Sequence, residues 1–235
     1  QKETYEDAGS VSKLPISKLS SLTSGFKFSG DSLHIAMIGS DDDSKYYSSL
    51  LIASIDTTKD DTSEEKELAA EDTESDSTKK KSKVKYDKEE IDFGRFHNAL
   101  NWSDDDQYLA YSKYHYANNG SLVYDLCLYD TKSKKKKWIT TNERATYPVF
   151  TKDNDIIYVA HTNSTSNLFR VNIDTGEKEQ LTAFTEDVQI LTPDISTDGY
   201  KIAFAMSNEK ERNLDIYILN LKTKNSELVQ ITFDE

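Results

Sequence analysis

Four stretches of this chain repeat one pattern, and no other feature restricts its fold as much. Each runs from an apolar or aromatic residue to Ser or Thr, a polar turn containing Asp, and an apolar strand. They occupy residues 26–36, 100–111, 148–158 and 193–204. A second block follows each, at 50–56, 124–130, 168–174 and 215–220. A third closes three of them: Trp138-Ile139-Thr140, Gln180-Leu181-Thr182 and Gln230-Ile231-Thr232. The anchors Ser29, Ser103, Thr151 and Ser196 stand 74, 48 and 45 residues apart. Less a 34-residue insertion, the first interval becomes 40. That spacing is the period of four-stranded propeller blades.

Each unit predicts four short strands separated by polar turns. Asp198-Gly199 is a tight-turn signal, because glycine accepts a positive φ. Leu126 and Leu128 alternate with Cys127 and Tyr129, the period of a strand. No sustained helical period occurs outside the insertion. A four-stranded sheet cannot cover its own two faces, so the units must stack, and radial stacking leaves only short, protected edges.

The insertion, residues 57–90, holds 12 acids and 8 lysines and almost no apolar side chains. Such a stretch cannot bury enough surface to offset its ordering entropy and is expected as a solvated surface insertion, the alternative being a charged docking arm. It dilutes the apolar content to 36%, while 14 Tyr, 9 Phe and 2 Trp leave ample material for a core. The expected organisation is a lead-in at 1–21 and blades at 22–98, 99–143, 144–188 and 189–235.

A net charge of −13 argues against nucleic acid as a partner. No apolar run is long enough for membrane insertion. The single cysteine, Cys127, excludes an intrachain disulfide and is expected as a buried small hydrophobe. No Gly-x-Ser-x-Gly elbow and no His-x-x-x-His or Cys-x-x-Cys spacing occurs, so no catalytic residues, metal site or cofactor are expected. His115 and His161 are expected in loops. The runs Asp41–Asp43 and Asp104–Asp106 lack the spacing of a calcium loop and read as turns. Lys134–Lys137 reads as a solvated basic hairpin.

The fourth unit, Pro193-Asp194-Ile195-Ser196-Thr197-Asp198-Gly199, then Asp215-Ile216-Tyr217-Ile218-Leu219-Asn220, then Gln230-Ile231-Thr232, resembles the repeat of TolB-like β-propellers. Similar blades occur in the N-terminal propellers of prolyl-oligopeptidase-type peptidases. The resemblance covers about residues 22–56 and 97–235. It implies an all-β chain of four four-stranded blades, a fragment of a ring of six or more. It favours a periplasmic or extracellular compartment and a protein or peptide partner. In such a ring the innermost strands line the channel, so Arg95, His97, Asn98, Arg144 and Tyr147 are the candidate binding residues at its mouth. The expected function is non-catalytic binding. The alternative is the propeller part of a serine peptidase whose hydrolase domain lies outside this chain.

Overall fold

The computed structural model describes residues 21–40, 47–56, 85–207, 213–222 and 228–233. Within them sixteen strands form four antiparallel sheets, each a four-stranded meander, and no helix occurs. The first sheet holds β1 (Ser21–Phe28), β2 (His34–Ser40), β3 (Ser48–Asp56) and β4 (Lys85–Gly94). The second holds β5 (Phe96–Trp102), β6 (Tyr108–Tyr116), β7 (Leu122–Asp130) and β8 (Lys135–Trp138). The third holds β9 (Thr146–Phe150), β10 (Asp155–Thr162), β11 (Thr165–Asn172) and β12 (Lys178–Gln180). The fourth holds β13 (Gln189–Ile195), β14 (Lys201–Ser207), β15 (Asp215–Asn220) and β16 (Leu228–Gln230). The first strands β1, β5, β9 and β13 neighbour one another in that order around the axis. The expected all-β architecture of four four-stranded propeller blades is the one found. The lead-in up to residue 20, residues 57–84 of the insertion and Asp41–Asp43 lie outside the described residues.

The repeated Ser/Thr anchors close the first hairpin of every blade. The amides of Ser32, Asp106, Asn154 and Gly199 donate to the carbonyls of Ser29, Ser103, Thr151 and Ser196, at 2.8–3.1 Å. All four of those donor residues have positive φ, between 55° and 77°. Only Gly199 meets that demand without strain; Asp and Asn tolerate it better than other side chains. The anchor hydroxyls accept from the returning strand, as from His34 N (2.9 Å), Tyr108 N (2.9 Å) and Lys201 N (3.0 Å). In three blades the anchor serine also donates to Asp31, Asp105 or Asp198. That bond holds each carboxyl below its ordinary range.

The other two blocks form a latch at the opposite end of the blade. Thr140 Oγ1 donates to Asp125 (2.9 Å) and accepts from Leu126 N (2.8 Å). Thr182 repeats this with Asn167 (3.0 Å) and Leu168 N (2.9 Å), and Thr232 with Asp215 (2.9 Å) and Ile216 N (2.8 Å). The outer strand is only three or four residues long in blades 2 to 4, so this side-chain tie compensates for a short ladder. The recurrence of Asp/Asn at the start of the second block and Thr at the end of the third is explained by this one contact.

Alternation along the strands buries both faces of the sheets. Leu126 and Leu128 pack with Phe150, Ile156 and Tyr158 of blade 3, while Cys127 and Tyr129 pack with Ile38, Leu50 and Ile52 of blade 1. A third seam joins Ile157, Val159 and Leu168 to Ile202, Phe204, Tyr217 and Leu219. Tyr111, Tyr158 and Phe204 are the largest buried side chains, one per seam. Burying such a side chain contributes about 1.5–3 kcal/mol.

Three expectations are corrected. Residues 85–90 of the insertion belong to β4, where Asp87–Glu90 pair with β3 across Leu51–Ser54 while their side chains stay exposed. An outer strand needs backbone bonds but no apolar face, so composition concealed it. His115 and His161 lie inside β6 and β10, not in loops. The Lys134–Lys137 hairpin is not simply solvated: Lys134 reaches Glu89 (2.6 Å), Lys136 reaches Asp92 (2.9 Å), and Lys137 donates to the Ile173 carbonyl (2.6 Å). Lysines with long stems on a short outer strand can span to both neighbouring blades.

Thr140→Val and Thr182→Val leave the buried Leu126 and Leu168 amides without their acceptor and take one donor from Asp125 and Asn167. Each is expected to cost about 1–3 kcal/mol in urea denaturation, whereas Thr232→Val, at an exposed latch, costs less. Equal losses at all three positions would refute the burial argument.

Candidate functional site

Every innermost strand carries a bulge near its start. Register breaks occur between Leu22 and Phe26 in β1, Phe96 and Leu100 in β5, Thr146 and Val149 in β9, and Leu191 and Asp194 in β13. A bulge bends the strand and re-aims side chains, and bulges concentrate at rims and sites. The rim they form faces away from the Ser-x-Asp turns.

Backbone strain collects here. Tyr147 (φ 53°) and Thr192 (φ 46°) each precede a proline, and Arg144 has φ 51°. A β-branched residue at positive φ is a conformational outlier, and such strain persists only where the surroundings impose it. Gly25 shows how close the inner strands run: a Cβ there would fall 2.4 Å from the Asn98 carbonyl oxygen.

The five predicted residues do not all meet. His97 packs edge-on against Tyr147, with ring centroids 4.4 Å apart, and against Tyr124 at 5.9 Å. Tyr124 lies 4.8 Å from Tyr114, and the Arg95 guanidinium sits 4.8 Å above the Tyr114 ring. His97 and Tyr147 are therefore in direct contact, and Arg95 joins them through two tyrosines. Arg144 lies close enough to His161 for its charge to be felt there. Asn98 is exposed, and its backbone carbonyl lies against Gly25 of blade 1.

Tyr114, Tyr124 and His161 complete the cluster and were not singled out as site residues. Tyr111 and Tyr129 of the same strand pair are buried in the seam between blades 1 and 2. Tyr114 stands directly opposite Tyr124 in the β6–β7 ladder. Both are half-buried, and nothing in the sequence separates them from other tyrosines on a strand. His161 is held by Ser166 Oγ at Nδ1 (2.9 Å) and Thr146 Oγ1 at Nε2 (3.4 Å).

Burial, and then the neighbouring His161, lower the His97 pKa to about 4. Burial and then the Arg144 charge lower that of His161. Both imidazoles are neutral at pH 7. His97 Nδ1 accepts from the Ala99 amide (3.3 Å), which leaves the proton on Nε2 as a donor. Among the described residues neither Arg95 nor Arg144 forms an ion pair, whereas Arg170 is paired with Glu179. The arrangement is an aromatic patch flanked by two unneutralised guanidinium groups, on a chain that is otherwise acidic. No group of three or more His, Cys, Asp or Glu that could hold a metal ion occurs among the described residues.

Two clefts lie elsewhere. The larger, about 310 Å³, sits between blades 1 and 2 on the turn face, beside His34, Trp102, Asp106 and Glu89. Three of its charged groups are engaged in joining the blades: Asp106 accepts from Gly30 N (2.5 Å) and Asp31 N (2.9 Å), and Lys134 pairs with Glu89. The smaller, about 160 Å³, borders Asp92 and Cys127. Burial alone would raise the Asp92 pKa, but bonds from Lys113, Lys136 and Tyr111 bring it below the ordinary range. Burial pushes the Cys127 thiol up to about 11, so it is not a nucleophile at neutral pH. The bulged rim is therefore the better candidate.

Comparison with solved structures supports the fold. TolB from Acinetobacter baumannii superposes with a TM-score of 0.59 at 16% identity, over 88% of this chain and 43% of TolB. The fold is a TolB-like β-propeller. An oligogalacturonate lyase in complex with manganese matches at 0.56 and 12% identity, over 88% of this chain and 52% of the lyase. A prolyl endopeptidase matches at 0.55 and 7%, over 90% of this chain and 28% of the peptidase. The chain thus spans less than half the length of that TolB. No protein-family model matches the sequence, and no curated protein matches it.

His97 binds fewer protons in the folded chain than in the unfolded one between about pH 4 and its ordinary value of 6.5. Stability is therefore expected to fall as pH drops through that window, and His97→Phe to flatten the slope there. Chemical denaturation of both proteins at pH 4.5, 5.5 and 7 checks this; parallel pH profiles would contradict it.

Proposed function

We infer that this chain is a non-catalytic propeller module that presents its bulged rim to a protein or peptide partner. The observation that carries this reading is two guanidinium groups without an ion pair among the described residues, Arg95 over the Tyr114 ring, which leads through Tyr124 to His97 and Tyr147, and Arg144 near His161. A guanidinium fork suits a carboxylate, and an adjacent aromatic patch suits the apolar side chain next to it. A peptide with a free carboxyl terminus after an apolar residue fits both.

The alternative is a propeller serving a serine peptidase whose hydrolase domain lies outside this chain. The likeness to a prolyl endopeptidase, confined to 28% of that protein, favours it. Under either reading the chain itself carries no chemistry.

Calorimetric titration with short peptides ending in Phe or Leu tests the module. Arg95→Ala or Arg144→Ala is expected to weaken binding about tenfold or more, and amidation of the peptide terminus by a similar factor. Affinity that ignores both the arginines and the terminal charge would overturn the reading. Peptide hydrolysis by the purified chain would overturn the non-catalytic assignment.

A further inference from the structure

We propose that the smaller cleft, between blades 1 and 2, binds an oxyanion, a phosphate or carboxylate group, carried on a flat ring. It lies on the side of blade 2 that meets blade 1, and it is independent of the rim and of any peptide bound there.

Strand alternation builds its walls. On β6, Tyr111, Lys113 and His115 share one side of the sheet; Cys127 stands opposite Tyr111, and Trp138 opposite Cys127. Lys136, two residues before Trp138, falls on the same side. From blade 1, β4 brings Asp92 against them. The Lys113 ammonium (2.6 Å) and the Lys136 ammonium (2.9 Å) both donate to Asp92 Oδ1, and the Tyr111 hydroxyl donates to Oδ2 (2.7 Å). The Asp92 side chain is 5% exposed, whereas those of Lys113 and Lys136 are 21% and 41% exposed.

A buried carboxylate is balanced by one counter-ion. Two ammonium groups on one oxygen leave a positive charge in surplus, and Asp92 is the one acid lining the cleft among the described residues. Each ammonium has three N–H donors, and among the described residues each gives a hydrogen bond only to Asp92. Lys113 is also held in place. Its stem lies against Gly94, where a Cβ would stand 2.8 Å from Lys113 Cε, and its Nζ sits 5.8 Å from the centre of the Phe96 ring. Ammonium groups fixed in this way act as point charges for an oxyanion.

The remaining wall selects what carries the anion. Trp138 lines the cleft and is 44% exposed. His115 stacks on its indole, with centroids 4.2 Å apart and planes at 27°, and the buried Asp125 carboxylate holds His115 Nε2 at 2.8 Å. The indole is thus buttressed from one side and offers a flat apolar surface to a second ring. The cleft volume is about 160 Å³, and a cavity of roughly 150 Å³ takes up benzene.

The test titrates the full chain with phenyl phosphate, benzoate and inorganic phosphate at constant ionic strength, following backbone amides and the Trp138 indole N–H by NMR. Phenyl phosphate or benzoate should give saturable shifts centred on Lys136 and Trp138, and the tighter of the two identifies the group. Inorganic phosphate should bind at least threefold more weakly than phenyl phosphate, and Trp138→Leu should remove that difference. Lys136→Gln leaves Lys113 and Tyr111 on Asp92, so the fold is kept, and should weaken binding at least tenfold. Lys135→Gln, on the other side of the same short strand, should change nothing. Asp92→Asn removes the competing negative charge and should tighten binding, the spread of the amide spectrum reporting that the fold is kept. Shifts that do not saturate, equal effects of Lys135→Gln and Lys136→Gln, or shifts centred on Tyr114 and Tyr124 at the rim would overturn the proposal. Equal affinity for phenyl phosphate and inorganic phosphate would overturn the ring.

Discussion

The structure depends on burying the sheet faces that meet between successive blades. A blade's alternating strands send one set of side chains backward and the next forward, and both sets are apolar. No blade is stable without a neighbour on at least one side, because an uncovered face forfeits the transfer energy of several large side chains. Tyr111, Tyr158 and Phe204 make this concrete: one ring anchors each seam, facing aliphatic side chains of the preceding blade.

Polar groups are subordinate to that packing but fix its geometry. The anchor hydroxyl and its Asp set the hairpin at one end of the blade, and the Thr latch sets the outer strand at the other. Between blades, Trp102 Nε1 donates to the Lys27 carbonyl (3.0 Å), and the Phe150 amide to Asn101 (3.1 Å). These bonds join the inner strands of neighbouring blades. The same bulges produce the rim, so the feature that lets inner strands converge also exposes the candidate binding residues.

Much of this was legible beforehand because repetition multiplies weak signals. One Ser-x-Asp turn says little; four at a blade's spacing, each followed by an alternating block, restrict the architecture to stacked sheets. His97 and Tyr147 were placed at the rim for the same reason, since both flank the start of an inner strand. The contribution of β4 to blade 1 was hidden by its charged composition, because an exposed outer strand has no hydrophobic period to read. Tyr114 and Tyr124 were hidden in the opposite sense, as they look like any other tyrosines on a strand.

The amino-acid order by itself determined the unit: strand, turn and latch arise from contacts within about 45 residues, which local pattern reports. Tertiary structure alone decided what the units make together. Asp106 clasps the turn of blade 1 across 75 residues of sequence, and Lys136 reaches Asp92 from the far side of its own sheet. Such contacts depend on which surfaces meet after the sheets have formed, and the chemistry of an isolated Asp or Lys is the same whether or not a neighbour arrives.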